Sequence, residues 1–363
     1  MENLRFCAPC LFGIEGILAN ELRRMGAEEV TAENGRVLFS GDMAMLARAN
    51  IGSRYAERIQ ILMGSFSAHT FEELFQGVKA LPWENWIGKN DAFPVKGWSL
   101  NSDLHSVPDC QSIIKKAVAD RLSGRYGVNW LAESDSIHQI QFTILKDEAT
   151  LLLDTSGAGL HKRGYRQNAG GAPIKETLAA AIADLMRVRR AETVMDPCCG
   201  SGTLLIESAL AATGIAPGIR RRFAAMNWSQ IPENVWKEER ARAREFEYPE
   251  SHFHAFGSDI DPDAIRLTAE NAEKATVGSR ITATCGDLSR FRPVGGSGVV
   301  LCNIRRMGNA CWMYRRRRNC TGRWEGCSCR KRALATPLSV RTRNLKSCSD
   351  AKRISGENCI TVC

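Results

Sequence analysis

The fold of this chain is decided by the stretch Asp196-Pro197-Cys198-Cys199-Gly200-Ser201-Gly202-Thr203. An apolar segment, 193–195, precedes it, and an apolar run with helical spacing, 204–210, follows it. Strand, glycine turn and helix in this order form the arrangement in which a parallel sheet binds a nucleotide at its carboxyl edge. The two glycines allow a tight turn and a close approach of the backbone to a ligand. An ordinary turn of small residues is the alternative, and the residues downstream argue against it.

Acidic residues stand at the ends of three successive predicted strands. Asp196 opens the glycine stretch, Asp259 follows the strand 255–258, and Asp287 follows the strand 281–285. A carboxylate at the end of the second strand can accept hydrogen bonds from both ribose hydroxyls. Asp287 can accept one from an adenine amino group. Because the chain contains no G-x-G-x-x-G, these acids favour an S-adenosylmethionine site over a dinucleotide site.

The composition describes a soluble globular protein of two or three domains. The chain has 363 residues, of which 44% are hydrophobic and 25% charged. No run approaches the roughly 18 apolar residues of a membrane span, and the start, Met1-Glu2-Asn3-Leu4-Arg5, does not resemble a signal peptide. We therefore expect a cytoplasmic protein without a membrane partner.

Hydrophobic periodicity divides the chain into five parts. Residues 1–58 and 59–156 both predict α+β units, 157–175 a glycine-rich linker, 176–303 an α/β unit of βαβα type, and 304–363 a tail of different composition. Within the first two parts we expect hairpins at Asn34-Gly35 and Lys146-Asp147 and helices over Thr70–Ala80 and Ser112–Tyr126.

Basic residues in two places are candidates for RNA contacts. The helix 112–126 carries Lys115, Lys116 and Arg121, and the linker carries Arg163 and Arg166 in a dense basic cluster. Beside Trp98, His105 and Trp130, such side chains can contact RNA phosphates and bases. A solvated helix face is an equally good interpretation of the helix residues.

The chain resembles the THUMP-domain RNA methyltransferases, specifically the bacterial enzymes that methylate a guanine N2 of large-subunit ribosomal RNA. The resemblance covers residues 1–303 and rests on five motifs: 159–166 (GLHKRGYR), 172–181 (APIKETLAAA), 196–203 (DPCCGSGT), 257–261 (GSDID) and Gly286-Asp287. It implies a ferredoxin-like piece at 1–58, a THUMP RNA-binding domain at 59–156 and a Rossmann-like methyltransferase domain at 176–303.

The resemblance also implies which residues bind S-adenosylmethionine. The glycine stretch, with help from 172–177, lines the methionine end; Asp259 takes the ribose; Asp287 and the Leu288 N–H take the adenine. The cofactor-binding residues implied in the glycine stretch are Asp196, Pro197, Cys198, Gly200, Gly202 and Thr203. Large-subunit ribosomal RNA is the implied partner. The tail cysteines lack a recognisable zinc spacing, so we expect no metal.

The family's catalytic motif, Asn-Pro-Pro-Tyr, is broken in this chain. The motif follows the fourth strand, where its Asn and a Pro carbonyl accept the N–H bonds of an exocyclic amine and its Tyr stacks on the flipped base. Here the catalytic Asn303 is present, but Ile304-Arg305-Arg306-Met307 follows it. The resemblance therefore implies an inactive copy of the enzyme.

A reading-frame slip near residue 304 accounts for the break. If each codon's last base is joined to the first two bases of the next, starting from the last base before the codon of residue 305, suitable synonymous codons for residues 305–314 give P-P-Y-G-E-R-M-L-D-V. Met307, Trp312 and Met313 have single codons, so the G, D and V of that string are forced. The same shift also gives a helix-like segment from 314–327 and a family-like C-terminus from 340–363.

The composition of residues 304–363 agrees with a slip. They hold 15 Lys and Arg against 3 Asp and Glu, and 7 of the 14 cysteines. We expect this basic, cysteine-rich tail to be disordered, with no strand in it. The methyltransferase sheet would then be truncated after its fourth strand, leaving 299–302 at an open edge.

Two other functions remain open from the sequence. A DNA adenine-N6 methyltransferase uses a similar catalytic motif, and a THUMP protein with a vestigial catalytic domain would bind RNA without catalysis. The THUMP-like half favours RNA over DNA.

Overall fold

The computed structural model describes residues 3–166, 173–291, 299–304, 312–317 and 359–362. The first half contains seven strands and four helices in the order β1 (Leu4–Pro9), α1 (Glu15–Arg24), β2 (Glu28–Glu33), β3 (Arg36–Gly41), α2 (Met43–Gly52), β4 (Gln60–Ser67), α3 (Phe71–Ala80), β5 (Val95–Leu100), α4 (Val107–Tyr126), β6 (Ile140–Leu145) and β7 (Glu148–Asp154). No helix in the described part of the chain is long and apolar enough to cross a membrane.

The two N-terminal units share one seven-stranded sheet of order β2-β3-β1-β4-β7-β6-β5. Both predicted hairpins are confirmed: Glu33 pairs with Arg36, and Leu145 pairs with Glu148. Lys146 and Asp147 both have positive φ, as a tight two-residue turn requires. Since β1 also pairs with β4, the sheet runs continuously across the predicted boundary at residue 58.

Helix ends follow local capping. Thr70 caps α3 and forms a capping box with Glu73, which fixes the predicted start of that helix. Helix α4 begins five residues earlier than the predicted Ser112, at Val107, because Pro108 is tolerated in a first turn. It ends at Gly127, whose φ of 64° is the left-handed conformation that stops a helix.

The second half is the predicted α/β unit. Its elements are α5 (Glu176–Leu185), β8 (Thr193–Asp196), α6 (Thr203–Ala212), α7 (Glu233–Glu245), β9 (His254–Asp259), α8 (Pro262–Lys274), β10 (Ile281–Cys285), β11 (Val299–Ile304), β12 (Trp312–Arg317) and β13 (Cys359–Val362). The sheet order is β10-β9-β8-β11-β12-β13, and its first four strands are parallel. This parallel part is the Rossmann-like arrangement that the glycine stretch predicts.

The prediction that no strand follows the fourth one is wrong. Strand β12 pairs antiparallel with β11, and β13 pairs antiparallel with β12. Strand β11 therefore has a neighbour on each side, and the expected open edge at 299–302 does not form. Aromatic residues in β12 and the Ile360-Thr361-Val362 run in β13 favour strands whatever the origin of the segment. The rest of the tail lies outside the described residues.

In the segment predicted as a linker, 157–175, residues 157–166 are packed between the domains. Leu160 and Tyr165 are buried, and Leu160 belongs to the large core that the N-terminal sheet forms with part of the methyltransferase unit. The methyltransferase unit also sends an insertion, 216–246, back onto the N-terminal half. In it the buried Trp228 stacks on His138, with ring centroids 4.3 Å apart, and donates from Nε1 to the Ile137 carbonyl at 3.1 Å. Packing of this kind fixes the two halves relative to each other.

Candidate functional site

The carboxyl ends of β8, β9 and β10 meet at one edge of the methyltransferase sheet. The Gly200 N–H donates to Asp259 Oδ2 at 2.9 Å, and the Cys199 N–H donates to the Ser258 carbonyl at 2.9 Å. On the other side, the Gly286 N–H donates to the Asp259 carbonyl at 2.9 Å. The structure thus brings together the glycine stretch, Asp259 and the turn that holds Asp287, as the strand ends predict.

Two side chains of helix α8 donate hydrogen bonds to the backbone of the glycine turn. Thr268 Oγ1 donates to the Gly200 carbonyl at 2.9 Å, and Asn271 Nδ2 donates to the Ser201 carbonyl at 3.1 Å. The sequence interpretation missed both residues. Their signal was available, because Thr268 and Asn271 are polar residues three positions apart on the buried face of an amphipathic helix.

The two glycines of the turn have different surroundings. Both have positive φ, 54° at Gly200 and 76° at Gly202. A Cβ on Gly202 would lie 2.6 Å from Thr268 Cγ2, whereas a Cβ on Gly200 would have no atom within 4 Å. Gly202 is therefore required for packing. Gly200 faces open space, where a ligand can approach the backbone.

Asp196 is a buried carboxyl group at the end of β8. Its Oδ1 accepts from the Cys198 N–H at 3.1 Å, and only 2% of the residue is exposed. Burial raises its pKa to about 7, and the negative charge of Asp259 adds to the increase. A cation bound at this place would favour the carboxylate and offset that cost.

Arg166 links the residues just before α5 to the first turn of α6. Its Nη1 donates to Thr203 Oγ1 at 3.2 Å and to the Ile174 carbonyl at 2.8 Å, and its Nη2 donates to Glu176 Oε2 at 3.0 Å. These bonds hold residues 174–176 beside the first turn of α6. Arg166 thus lies at the cofactor edge, where its guanidinium is hydrogen-bonded to other residues of the chain.

The prediction that Arg163 contacts RNA is corrected by its burial. Only 7% of the residue is exposed, and its guanidinium donates to the Leu160, Ser53 and Arg54 carbonyls. Those bonds tie the 157–166 segment to the N-terminal unit. The basic composition of the motif concealed this role, because burial depends on packing that the sequence pattern does not show.

The basic residues of α4 lie at the surface of the first half. Lys115 Nζ lies 2.5 Å from Glu133 Oε2 and 3.9 Å from the centroid of the Phe93 ring, and Arg121 forms a double hydrogen bond with Glu84. Lys116 is exposed, with Nζ 5.8 Å from the centroid of the Phe75 ring. An RNA contact from these three residues stays a prediction.

Apolar side chains flank the predicted adenine region. Ile260, directly after Asp259, is 70% exposed, and Leu288, directly after Asp287, is 41% exposed. Large aliphatic groups exposed at two neighbouring strand ends suit the faces of a flat ring. Only the N–H of Leu288 was implied by the sequence, and Ile260 was missed. Its signal was an isoleucine between two aspartates, at a turn where polar residues are expected.

Asn303 reaches the same edge of the sheet. In β11, Leu301 pairs with Met195 of β8, so Asn303 comes level with Pro197, one residue beyond the end of β8. The strand continues to Ile304, and Asn303 also pairs with Met313 of β12. The replaced motif residues from Arg305 to Met307 lie outside the described part of the chain.

One group of possible metal ligands is present among the described residues. His69, Asp103 and Asp147 place ligand atoms within 4.8 Å of one another on loops of the first half. His69 Nδ1 lies 3.0 Å from Asp103 Oδ2, and this hydrogen bond raises the pKa of the histidine. A metal ligand must be the neutral imidazole, so the arrangement favours an ion pair over a metal site.

The residues at the sheet edge fit S-adenosylmethionine. Asp196 offers a buried carboxylate for the positively charged methionine end, Asp259 a carboxylate at the end of the second strand, and Gly200 and Gly286 face space that no Cβ fills. Four parallel strands in this order with such an edge define the class of Rossmann-like S-adenosylmethionine-dependent methyltransferases.

Comparison with known proteins defines the family. Residues 5–60 match the RlmL ferredoxin-like domain, 68–154 the THUMP domain and 163–319 the RMKL-like methyltransferase domain. The Bacillus subtilis (strain 168) protein YpsC, a candidate RNA methyltransferase, is 42% identical over 305 residues, which are 84% of this chain and 79% of that protein. The chain therefore belongs to the THUMP-domain RNA methyltransferase family.

Solved structures agree with this assignment. A protein from Listeria monocytogenes str. 4b F2365, named as a predicted N6-adenine-specific DNA methylase, is 42% identical with a TM-score of 0.80, covering 83% of this chain and 80% of that one. SMU.472, a candidate methyltransferase solved with S-adenosylhomocysteine (SAH), is 36% identical with a TM-score of 0.81, covering 85% and 81%. S-adenosylmethionine is thus the cofactor of this family and of this chain.

Proposed function

We propose that this chain is built to methylate the exocyclic N2 amine of a guanine in 23S ribosomal RNA, and that the copy as written does not complete the transfer. The observation that carries the first part is the position of Asn303, level with Pro197 at the edge where the glycine turn and Asp259 meet. The second part is carried by the sequence Ile304-Arg305-Arg306, which replaces Pro-Pro-Tyr.

The residues at the sheet edge would each hold one part of the cofactor. Asp196, with Pro197, Cys198 and Thr203 around it, takes the methionine end, and Asp259 accepts from the ribose hydroxyls. Asp287 and the Leu288 N–H bind the adenine edge, while the exposed Ile260 and Leu288 side chains lie against its faces. When bound, S-adenosylmethionine supplies a methyl group activated by the adjacent sulfonium.

The remaining chemistry belongs to the residues around the acceptor amine. The lone pair of an exocyclic amine is delocalised into the base, so the amine becomes a nucleophile only when its N–H bonds are drawn towards acceptors. The Asn303 amide oxygen is one such acceptor. Without the Pro-Pro turn, neither the Asn303 amide oxygen nor a following backbone carbonyl is aimed at the amine, and without the Tyr the flipped base loses a stacking contribution of about 1–3 kcal/mol.

RNA is favoured over DNA as the substrate by the first half of the molecule. Residues 68–154 form a THUMP domain, and the core shared by the two halves fixes that domain relative to the methyltransferase unit. The name of the Listeria protein points to adenine N6 of DNA, which the same catalytic motif could serve. A non-catalytic RNA-binding protein is the third candidate, favoured only by the broken motif.

Methyl transfer from labelled S-adenosylmethionine by the frame-corrected chain separates these functions. We expect label in unmodified 23S ribosomal RNA, recovered as N2-methylguanosine, and none in duplex DNA. Label in DNA adenine alone would contradict the RNA proposal. Binding of RNA without any uptake of S-adenosylmethionine would favour the non-catalytic function.

A further inference from the structure

A second cleft lies between the N-terminal unit and the methyltransferase unit. It encloses ≈ 450 Å³ and is lined by α1, α2 and the residues after α2 on one side, and by α5, α6 and α7 on the other. Volumes in this range hold small molecules. None of the cofactor-binding residues named above lines it.

The position of the cleft separates it from the cofactor edge. Asp184 and Ala211, which line it, lie near the C-terminal ends of α5 and α6, whereas Glu176 and Thr203 begin those helices beside the glycine turn. A ten-residue helix is about 15 Å long. The cleft is therefore about one helix length from the cofactor edge, at the C-terminal ends of α5 and α6.

Arg54 is the arginine of the cleft whose hydrogen bonds are least complete. Its Nη2 donates to the Leu210 and Ile215 carbonyls at 3.2 and 2.9 Å, bridging the two units. Its Nη1 is buried and has no hydrogen-bond partner in the described part of the chain. A buried charged donor without an acceptor is costly, and an anion bound in the cleft beside this guanidinium would offset part of that cost.

The arginines that line the cleft outnumber its acidic residues, so the lining carries a net positive charge. Glu239 is paired with Arg48, whose Nε and Nη2 lie 2.8 and 2.6 Å from its carboxylate oxygens. The same carboxylate also faces Arg242, whose Nη1 lies 3.8 Å from Oε1. Glu21 accepts hydrogen bonds from the Ser53 hydroxyl and the Arg54 backbone N–H at 2.7 and 3.0 Å. Arg24 and Arg242 are both exposed and add positive charge beside Arg54.

The remaining lining matches the other parts of a nucleotide. Phe246 lines the cleft and is 55% exposed as a residue, and its ring offers a flat surface for a base. Asp184 is an exposed carboxylate that can accept from sugar hydroxyls or a base amine.

We propose that this cleft binds one nucleotide, with its phosphate at Arg24, Arg54 and Arg242 and its base against Phe246. The nucleotide can be free or can be part of an RNA strand that reaches this side of the molecule. Binding here does not require methyl transfer, so the proposal stands or falls separately from the catalytic one.

Calorimetric titration of the full chain tests the proposal, with the cofactor edge first saturated with S-adenosylhomocysteine. The probes are guanosine 5′-monophosphate, inorganic phosphate and a short single-stranded RNA. Arg24→Gln and Arg242→Gln alter exposed residues of the cleft, and each is expected to weaken nucleotide binding by about tenfold. Arg244→Gln is the matched control, because Arg244 is exposed on α7 and does not line the cleft.

The probes also distinguish a free nucleotide from an RNA strand, and the phosphate contact from the base contact. Loss of affinity for guanosine 5′-monophosphate in both cleft variants supports a free nucleotide, and the same loss for the RNA alone supports an RNA strand. Phe246→Ala is expected to weaken nucleotide binding and leave phosphate binding unchanged. Cleft variants that bind every probe as the Arg244→Gln control does would overturn the site, and phosphate binding as tightly as the nucleotide would overturn the base contact.

Discussion

Asp259 is the residue that connects the cofactor site to the glycine turn. Its Oδ2 accepts from the Gly200 N–H, and its Oδ1 accepts from the Asp261 N–H at 3.1 Å. In the frame-corrected chain we expect Asp259→Ala to weaken S-adenosylmethionine binding by several kcal/mol at most, because two hydrogen bonds to a charged acceptor contribute about 1.5–3 kcal/mol each. Calorimetry should show no such loss for Asp263→Ala, an exposed acid on α8. Unchanged affinity in Asp259→Ala would remove the residue from the ribose role.

Asp196 should make cofactor binding depend on pH. Its pKa of about 7 means that the free protein holds this carboxyl largely protonated in mild acid. The positively charged methionine end favours the carboxylate, so binding should release a proton and strengthen as the pH rises to about 7, by up to about tenfold per pH unit. Above that pH the affinity should level off.

The proton release can be measured by titration calorimetry at mildly acidic pH in two buffers of different ionisation enthalpy. Asp196→Asn has no proton to release and should bind with a heat that does not depend on the buffer. Equal heats in both buffers for the unaltered residue would contradict the role given to its ionisation.

The position of the acidic residues of the site could be predicted from the sequence, whereas the burial of Arg163 could not. Asp196, Asp259 and Asp287 each end a short apolar segment, and parallel strand ends meet at one edge by geometry alone. Whether Arg163 is exposed depends on carbonyls of residues 53 and 54, more than a hundred positions away. No local pattern carries that information.

At the scale of elements, the turn between β8 and α6 gives a matched pair of variants. Ala at Gly200 should cost only the left-handed backbone conformation, about 1–2 kcal/mol. Ala at Gly202 should cost more, because its Cβ would also meet Thr268 Cγ2 at 2.6 Å. Thermal unfolding should therefore show a larger decrease in Tm for Gly202→Ala than for Gly200→Ala. Equal decreases in Tm for the two variants would contradict this prediction, because they would mean that Thr268 and α8 accommodate the added Cβ without loss of stability.

Elements were predictable where the pattern was strong and local. Both hairpin turns and the capped start of α3 carry their signals within a few residues. Strands β12 and β13 were missed, because the basic composition of the tail was given more weight than its short aromatic and β-branched runs. Their pairing joins segments more than forty residues apart, which local propensity does not show.

At the scale of the whole molecule, Trp228 should hold the two halves together. It is 1% exposed, stacks on His138 and lies 6.2 Å from Trp86, measured between ring centroids. Trp228→Ala should lower the free energy of unfolding by about 3–5 kcal/mol and separate the unfolding of the two halves. Trp130→Ala is the control, because Trp130 is 83% exposed and should change stability by less than about 0.5 kcal/mol. A single unchanged calorimetric transition in Trp228→Ala would contradict this role.

The order of the domains was readable from the sequence, but their joining was not. The motifs predict three units, whereas the shared seven-stranded sheet and the insertion packed on it arise from long-range contacts. The consequence is functional, because a THUMP domain held firmly against the methyltransferase unit fixes the distance between bound RNA and the cofactor edge.

We propose that this chain retains the cofactor site of an RNA methyltransferase but lacks the motif that completes the transfer. This is tested most directly by methyl transfer from labelled S-adenosylmethionine to unmodified 23S ribosomal RNA, with the chain as written and the frame-corrected chain side by side. We predict N2-methylguanosine from the corrected chain, and none above a protein-free control from the chain as written. Equal rates from the two chains, or no RNA methylation by the corrected one, would contradict the account.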